Sequence, residues 1–514
     1  MSFCEKRFLL LFFFLTLQIL FADDIQTPLE KSRFSKLTSH AEMMDYLTAL
    51  QKQSDNFKIT IIGQSVQGRE IPAIYFSSDK KFAEKREKKP LVLIFCQQHG
   101  DEPSGKEAAL MLARRLAGKG NILLEELDLI VVPQVNPDGA EISKRRNASK
   151  MDLNRNHVIL SEPEAQALHN LFLNWKPQVT LDVHEYNAIK NSWIEHGYVK
   201  DAEEMMGGVT NLNIDSRLMD FSRSKMIPQV GEKVRKAGFS FHRYIVGEPF
   251  EGKRIRFSTT NINDGRQSMG IYNTLSFLIE GKRYSDVLYE IERRTQGQFT
   301  ALVAFLEVVA ENARDILQLV NTSRQDLLLQ AQGKYAHIQM DYFPDSLQKT
   351  LTYPVFNFSV WKRVEKELHN FEPLVKIKKS IVKPWAYIFS QKEEALNTLL
   401  KKHQIKIQHL KQNVTVEVES YSILHVTPAV DEDKSILNID VEKRIGQKNY
   451  KKGDIIVPLD QSAANLIPLL FEPQSTYNIC QKRNGHQYRF EDYIKSGQDY
   501  PIARIMQFVK LPVD

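Results

Sequence analysis

The sequence has few cysteines for its length. Only three occur in 514 residues, and one of them, Cys4, lies ahead of an apolar N-terminal segment. The other two, Cys96 and Cys480, are far apart in the chain. This number excludes a disulfide framework, and a single bridge between Cys96 and Cys480 is the alternative to two free thiols.

A strong excess of charge of one sign is also lacking. The formal net charge is +6 over 514 residues, and the basic residues form no long block. A short charged run at residues 80–89 is predicted to be a solvated loop between two strands. Binding to nucleic acid is therefore not indicated.

Long apolar runs are absent after the N-terminus. Lys6 and Arg7 precede an apolar core at residues 8–21, and two aspartates follow it. This pattern predicts a secretory signal peptide over residues 1–22, with an uncleaved anchor as the alternative. We expect a periplasmic or secreted protein that does not contact the membrane after signal cleavage.

Apolar strand-like runs alternate with helical segments between about residues 57 and 320. The predicted strands include 91–95, 127–135, 179–183 and 273–279, and the predicted helices include 106–116, 164–173 and 299–316. This alternation is typical of an α/β fold with a mixed, largely parallel sheet and helices on both faces.

The character of the chain changes at about residue 335. Short strand-like runs separated by turn residues then dominate, which predicts a smaller β-rich C-terminal domain. We therefore predict a signal peptide at residues 1–22, an α/β domain at 23–325 and a β-rich accessory domain at 335–514. The histidines of the last region lack ligand-like spacing and are interpreted as structural: His369, His403, His409, His425 and His486.

The run at residues 91–105 combines a buried strand with candidate metal ligands. His99 and Glu102 lie between this strand and the following helix, the usual position of a site in an open α/β sheet. An imidazole and a carboxylate three residues apart can bind one zinc ion from the same side, and a catalytic zinc needs a third protein ligand. A solvated turn is the alternative, because both residue types are common in loops.

Two later strands also end in polar side chains. His184 follows the strand at 179–183 and is a third potential ligand, although a single histidine there is more often structural. Glu280 follows the strand at 273–279. It could cap the next helix or serve as a general base in the same pocket.

A basic loop, residues 144–156, lies between these elements. Its arginines could bind an anion, because a guanidinium matches a carboxylate in a bidentate manner. An exposed basic loop without a ligand is the alternative.

Together these residues resemble the zinc carboxypeptidase family of the carboxypeptidase A type. The resemblance covers residues 37–320. In chain order, the segments that carry it are His99-Gly100-Asp101-Glu102, Asn136-Pro137-Asp138-Gly139, Arg145-Arg146-Asn147, Asp152-Leu153-Asn154-Arg155-Asn156, His184 and Glu280.

The resemblance implies a role for each of these positions. It implies zinc (Zn²⁺) as the cofactor, with His99, Glu102 and His184 as its ligands. It also implies Glu280 as the base that activates water and returns the proton to the leaving amine. Three further residues follow from it: Arg145 as the oxyanion-stabilising arginine, and Asn154 and Arg155 as the clamp for the terminal carboxylate of the substrate.

The chain departs from the digestive members of this family at three places. The tyrosine that closes over the substrate has no clear match, and Tyr244 and Tyr272 are candidates. Gly281-Lys282-Arg283 after Glu280 resembles the bacterial branch, which includes murein-peptide amidases. Arg266 lies in the corresponding pocket-forming loop. It would favour acidic or diaminopimelate-like C-terminal residues, or it would only brace the loop.

Asn147-Ala148-Ser149 fits the N-glycosylation pattern. A glycan there would obstruct the proposed site, because the sequon lies in the arginine-rich loop. The sequon therefore favours a bacterial, periplasmic or secreted setting.

The function predicted from these residues is that of a secreted zinc-dependent carboxypeptidase-like hydrolase. Its substrate would be a peptide or murein peptide with a free C-terminal carboxylate. A cell-wall peptide amidase or deacylase that uses the same zinc site is the first alternative. A non-catalytic binding scaffold is the second, and the complete set of ligands and acid–base residues argues against it.

Overall fold

A computed structural model describes residues 25–80, 82, 88–118, 122–329, 332–431, 434–481 and 490–514. The predicted signal peptide, residues 1–22, lies outside the described residues. Within them, none of the helices combines the length and the apolar composition that crossing a membrane requires.

The strands follow one another in chain order as β1 (Phe57–Gln64), β2 (Glu70–Phe76), β3 (Leu91–Cys96), β4 (Asp128–Val132), β5 (Val179–Asn187), β6 (Tyr198–Lys200), β7 (Glu204–Gly208), β8 (Phe241–Arg243), β9 (Val246–Gly247), β10 (Ile255–Arg256), β11 (Leu275–Arg283), β12 (Tyr335–Phe343), β13 (Leu351–Asn357), β14 (Lys362–Leu368), β15 (Leu374–Val382), β16 (Ala386–Phe389), β17 (Gln408–His409), β18 (Val414–Asp431), β19 (Lys434–Tyr450), β20 (Ile455–Pro458) and β21 (Ala503–Ile505).

The helices are α1 (Pro28–Lys31), α2 (His40–Gln53), α3 (Ser104–Ala117), α4 (Leu123–Glu126), α5 (Pro137–Glu141), α6 (Pro163–Trp175), α7 (Asn191–Ile194), α8 (Ser216–Phe221), α9 (Ile227–Lys236), α10 (Gly265–Gly270), α11 (Ile291–Glu311), α12 (Ala313–Leu329), α13 (Glu394–Lys402) and α14 (Leu466–Phe471). Single 3-10 turns occur at Leu153–Arg155 and Glu491–Ile494.

Eight strands form the central sheet, in the order β1-β2-β4-β3-β5-β11-β7-β8. The middle of this sheet, β4-β3-β5-β11, is parallel, and antiparallel pairs flank it. Helices α3 and α11 cover one face, where Gly105 contacts Val183 and Gly281 contacts Gln298. Helix α10 lies on the other face, where Gly265 contacts Asp182. The predicted mixed α/β sheet with helices on both faces is therefore confirmed.

Several predicted strand ends were wrong, and two of them concern candidate site residues. Strand β5 continues to Asn187 and strand β11 continues to Arg283, so His184 and Glu280 lie within strands. The two strands pair in parallel over their whole lengths, and this pairing keeps the polar segments extended. The helix predicted at 299–316 is two helices, because α11 ends at Glu311 and α12 begins at Ala313.

The described chain after residue 335 is rich in antiparallel strands, as predicted. Strands β12 and β15 form a two-stranded sheet, and six strands form another in the order β17-β20-β16-β21-β18-β19. The division into domains at 325 and 335 stays a prediction. Cys96 and Cys480 are both buried free thiols.

The C-terminal region contacts the α/β region at several places, two of which are strand β13 and the end of α13. Strand β13 joins strand β6, with Val355 opposite Lys200. At the other place His403, which follows α13, reaches the α/β region, and its Nε2 lies 2.7 Å from the backbone oxygen of Val158. The largest hydrophobic cluster of the described residues includes side chains of both regions.

Three buried histidines lie together beside the second contact. Nε2 of His169 lies 2.9 Å from Nδ1 of His157, and the rings of His169 and His403 meet edge to face. Burial lowers the pKa of His157 and of His403 to about 4 and lowers the pKa of His169 well below its ordinary value. All three are therefore neutral in the folded protein at neutral pH.

These lowered pKa values predict acid sensitivity. An unfolded histidine binds a proton near pH 6.5, whereas His157 and His403 stay neutral down to about pH 4 in the folded protein, and the pKa of His169 is also lowered by burial. The unfolded state therefore binds more protons between these limits, and the free energy of unfolding falls as the pH drops from 6.5 towards 4. Each histidine contributes a slope of up to about 1.4 kcal/mol per pH unit.

Replacing His403 by Gln should flatten this dependence, which denaturant unfolding at pH 7, 6 and 5 would measure. The matched control is His369→Gln, because the side chain of His369 is 72% exposed. Equal slopes in the two variants would contradict the prediction.

Candidate metal centre

Three buried side chains meet at the carboxyl edge of the parallel strands. One ligand atom from each of His99, Glu102 and His184 lies within 4.8 Å of the other two. Glu102 lies between the imidazoles, with Oε1 2.9 Å from Nδ1 of His99 and Oε2 2.8 Å from Nδ1 of His184. The structure thus brings together the three ligands expected from the sequence.

A tight turn after β3 places His99 and Glu102. Gly100 allows the start of α5 to approach, because a Cβ on Gly100 would lie 2.1 Å from the backbone of Gly139. Asn136 is the N-cap of α5 and joins it to the turn: its Nδ2 donates to the backbone oxygen of Gln98, and its Oδ1 accepts from the backbone N–H of Gly139. The Asn136-Pro137-Asp138-Gly139 motif therefore supports the ligand turn.

Carboxylates hold the outer nitrogen of each histidine. Nε2 of His99 lies 3.0 Å from Oδ1 of Asp152, and Nε2 of His184 lies 2.9 Å from Oδ1 of Asp182. Such partners fix the tautomer in which Nδ1 is free to bind a metal. Two imidazoles and one carboxylate are donors that zinc accepts, and three protein ligands leave a position open. The residues present fit a catalytic zinc ion.

The candidate metal centre brings groups of opposite charge close together. Burial opposes charge on Glu102, but its interactions with His99 and His184 hold its pKa well below the usual range. Burial lowers the pKa of His184, but the charges of Asp182 and Glu102 outweigh burial and raise it well above its ordinary value. In the metal-free protein, the carboxylates therefore favour a cation at this position.

Asp182 belongs to a buried hydrogen-bonded series. Nε2 of Gln98 donates to both oxygens of Asp182, at 2.9 and 3.0 Å, and Oε1 of Gln98 lies 2.9 Å from Nε2 of His157. His157 contacts His169, so the series connects His184 with the buried histidines near α13.

Glu280 lies beside His184 in the β5–β11 register. Its side chain is partly exposed, on the same face of the sheet as the metal ligands. Desolvation raises the pKa of Glu280 to about 7, and the charge of His184 opposes this rise. A carboxyl group with such a pKa can both accept and donate a proton near neutral pH.

Arg145 lies on the other side of His99. Its Nη1 is 3.2 Å from Nδ1 of His99, and its Nε donates to Oδ2 of Asp152 at 3.0 Å. Its side chain is 41% exposed. Asp152 thus positions both His99 and Arg145.

The 3-10 turn at Leu153–Arg155 places the two residues of the expected carboxylate clamp. Nδ2 of Asn154 lies 3.0 Å from Nε2 of His184, and Oδ1 of Asn154 accepts from the backbone N–H of Gly265. Arg155 is exposed, and its Nη1 donates to the backbone oxygen of Asn154. The two clamp residues therefore lie next to α10 and to the cluster of His99, Glu102 and His184.

Arg266 is buried on α10, with 3% of its side chain exposed. Its Nη2 donates to Oγ of Ser258 and lies 3.4 Å from Oδ2 of Asp264. Nε and Nη1 of Arg266 have no hydrogen-bond partner within the described chain. This guanidinium therefore has unused donors in a buried setting.

The two candidate tyrosines differ in position. Tyr272 lies in the main core, where its ring meets Phe172 edge to face. Tyr244 contacts the guanidinium of Arg266, and burial together with the charge of Glu280 raises its pKa. Only Tyr244 lies among the site residues.

The side-chain amide of Asn147, in the sequon, takes part in hydrogen bonds within the protein. Asn147 is buried, and its Nδ2 donates to Oε2 of Glu162 at 2.8 Å and to Oε2 of Glu164 at 3.2 Å. This amide is occupied in the folded protein, so the sequon gives no information about the setting of the protein.

Sequence reasoning assigned no role to three residues that support the ligands. Asp152 lies inside a motif that was recognised, but the motif does not show that its carboxylate binds His99. Asp182 occurs two residues before His184, on the same face of β5, and this spacing was an available signal. Gln98 gives no comparable signal, because its partners come from distant segments.

Residues 43–232 match the family model described as Zinc carboxypeptidase. Carboxypeptidase 2 of Trichophyton tonsurans is 24% identical over 445 residues, which cover 83% of this chain and 80% of that protein. The human carboxypeptidase N catalytic chain is 25% identical over 306 residues, covering 51% of this chain and 66% of that protein.

Among solved structures, carboxypeptidase A of Helicoverpa armigera shares 18% identity at a TM-score of 0.42, covering 55% of this chain and 75% of that one. The relatives that cover most of this chain are fungal. They do not support the bacterial branch expected from Gly281-Lys282-Arg283.

The outer carboxylates predict a loss of metal affinity on mutation. Asp152→Asn and Asp182→Asn should each lower zinc affinity by about 10–100-fold, because each removes the partner that orients a histidine. Competition with a chromogenic chelator would measure this change. Asp454→Asn is the control, since Asp454 is also buried but accepts backbone hydrogen bonds in the C-terminal region. Affinities equal to the control would contradict the assignment.

Proposed function

We propose that the protein, a zinc metallocarboxypeptidase that hydrolyses peptide bonds, removes single residues from the C-terminus of peptides outside the cytoplasm. The meeting of His99, Glu102 and His184, with Glu280 beside His184, carries this proposal. The signal-peptide pattern at residues 1–22 supports the extracellular setting.

His99, Glu102 and His184 would hold the zinc ion. When bound, zinc supplies a Lewis acid for the scissile carbonyl and lowers the pKa of a water molecule to about 7. Asp152 and Asp182 keep both imidazoles in the tautomer that this binding needs.

Glu280 is the proposed proton carrier. Its carboxylate accepts a proton from the attacking water and then donates it to the nitrogen of the leaving amine. A pKa of about 7 suits both steps, because the group is basic enough to accept the proton and acidic enough to return it.

Arg145 is the proposed oxyanion donor. Its guanidinium lies beside His99 and is partly exposed, so it can reach a carbonyl oxygen of the substrate. The N–H groups of Arg145 would stabilise the negative charge that develops on this oxygen.

Asn154 and Arg155 are the proposed clamp for the terminal carboxylate. Arg155 is exposed and can bind a carboxylate in a bidentate manner. An internal peptide bond offers no such anion at this position, so the clamp restricts cleavage to the chain end. Murein peptides with a free carboxylate meet the same requirement.

Arg266 is the proposed selector of the released residue. It is buried next to the clamp, and two of its nitrogens lack partners within the described chain. An acidic side chain would satisfy these donors, whereas an apolar side chain would leave them unpaired.

Replacing Glu280 by Gln should lower kcat by about 10²–10⁴-fold while the zinc content stays unchanged. Hydrolysis of a short peptide and metal analysis of the same samples would test this, with a chelated wild-type sample as reference. Glu204→Gln is the matched control. Glu204 is a buried carboxyl on the neighbouring strand, and burial raises its pKa well above the ordinary value, so Gln resembles its protonated form. Comparable activity in both variants would remove Glu280 from the mechanism.

Replacing Arg266 by Met should lower kcat/KM for a peptide ending in Glu by about tenfold or more, with much less change for a peptide ending in Leu. A panel of peptides that differ only in the C-terminal residue, with one murein peptide included, would measure this. Arg266→Lys should keep part of the preference, because the positive charge remains. Equal turnover of Glu and Leu peptides by the wild type would show that Arg266 only braces the loop.

A further inference from the structure

Lys200 is a buried lysine at the junction of the α/β region and the C-terminal strands. It ends β6, and it pairs with Val355 of β13. Only 5% of the residue is exposed. Its Nζ lies 4.7 Å from the ring centroid of Tyr186 and 5.4 Å from that of Tyr353.

The two tyrosine rings are held in place. The hydroxyl of Tyr186 donates to the backbone oxygen of Ala202 at 2.6 Å, and the hydroxyl of Tyr353 lies 3.2 Å from Sδ of Met205. Both rings therefore present a fixed aromatic surface to the ammonium group, which is an attractive arrangement for a cation.

Lys200 lies close to the catalytic residues. Tyr186 follows His184 by two residues on the same face of β5, which is a distance of about 6.6 Å along a strand. The charge of Glu280 acts on Lys200 and raises its pKa. The ammonium group therefore lies beside Tyr186, near the end of β5, where the charge of Glu280 also acts on it.

The direction along β5 identifies the part of a peptide that would meet Lys200. On the opposite side of His184, Asp182 contacts Gly265, which binds Asn154 of the proposed carboxylate clamp. The terminal residue of a substrate would therefore occupy the Asp182 side. The residues upstream of the cleaved bond would extend over the Tyr186 side.

The positive charge of Lys200 has no adjacent counterion. Its neighbour Asp201 binds Lys282 at 2.8 Å and Arg363 at 2.6 Å, but within the described residues no carboxylate forms an ion pair with Lys200. Burial lowers the pKa of Lys200 to about 7, the charge of Lys190 lowers it further, and the charges of Glu280 and Glu248 oppose this. An anion bound beside Nζ would offset this desolvation.

We propose that Lys200, held between Tyr186 and Tyr353, binds an acidic side chain of the substrate at the second or third residue from its C-terminus. This inference rests on the proposed carboxypeptidase function. It gives the C-terminal strands a part in substrate recognition, because Tyr353 belongs to β13.

Peptides with a constant C-terminal residue and either Glu or Gln at the second, third or fourth position from the end test the proposal. For the wild type we expect kcat/KM to be about tenfold higher with Glu than with Gln at the second or third position. The fourth position should show no such preference.

The Lys200→Met variant should lose this preference while it hydrolyses the Gln peptides at a similar rate. Lys200→Arg should retain part of it, because the charge remains. Lys190→Met is the control for the general effect of a nearby charge, since Lys190 is exposed and its charge also acts on Lys200. That variant should keep the wild-type ratio.

Hydrolysis of the Gln peptides distinguishes failure of the Lys200 subsite from failure of the carboxypeptidase function. If the wild type cleaves them but shows a Glu-to-Gln ratio near one at every position, the subsite is wrong and the carboxypeptidase function stands. If the wild type releases no C-terminal residue from any peptide, the function and the subsite both fall. A preference that persists in Lys200→Met would also overturn the proposal. The ratio measured on the wild type tests the proposal even if the variants do not fold.

Discussion

The parallel pairing of β5 with β11 determines the arrangement of the site. It places His184 beside Glu280 on one face of the sheet, and the pairing of β5 with β3 brings the His99 turn to the same edge. A shift of one residue in either pairing would turn every side chain of that strand to the opposite face. The positions of the candidate ligands and of Glu280 thus depend first on the backbone hydrogen bonds of the sheet.

A network of buried polar side chains extends from the site into the protein. From His184 the hydrogen bonds pass through Asp182 and Gln98 to the histidines that approach α13. Buried networks of this kind fix one arrangement of side chains when every member is satisfied. Nδ1 of His169 and Nδ1 of His403 lack partners within the described residues, so the hydrogen bonds of this network are incomplete at its end near α13.

Much of the fold could be predicted from apolar periodicity, and the candidate ligands could be predicted from family motifs. Periodicity ended β5 too early because the segment from His184 to Asn187 is polar, and only pairing with β11 keeps it extended. The partners of Lys200 could not be predicted, since Tyr353 is 153 positions away and approaches through the pairing of β6 with β13. Side chains that meet only through tertiary pairing leave no local pattern.

The pairing of β6 with β13 has a consequence for the evolution of this chain. An apolar cluster that includes Tyr186, Trp193, Tyr353 and Phe371 joins residues 335–382 to the end of β5. Substitutions in β13 and β14 can therefore alter the surroundings of Tyr186 while β3, β5 and β11 stay unchanged. Selection could therefore change which substrates the enzyme accepts through residues 335–382 and leave the reaction itself unchanged.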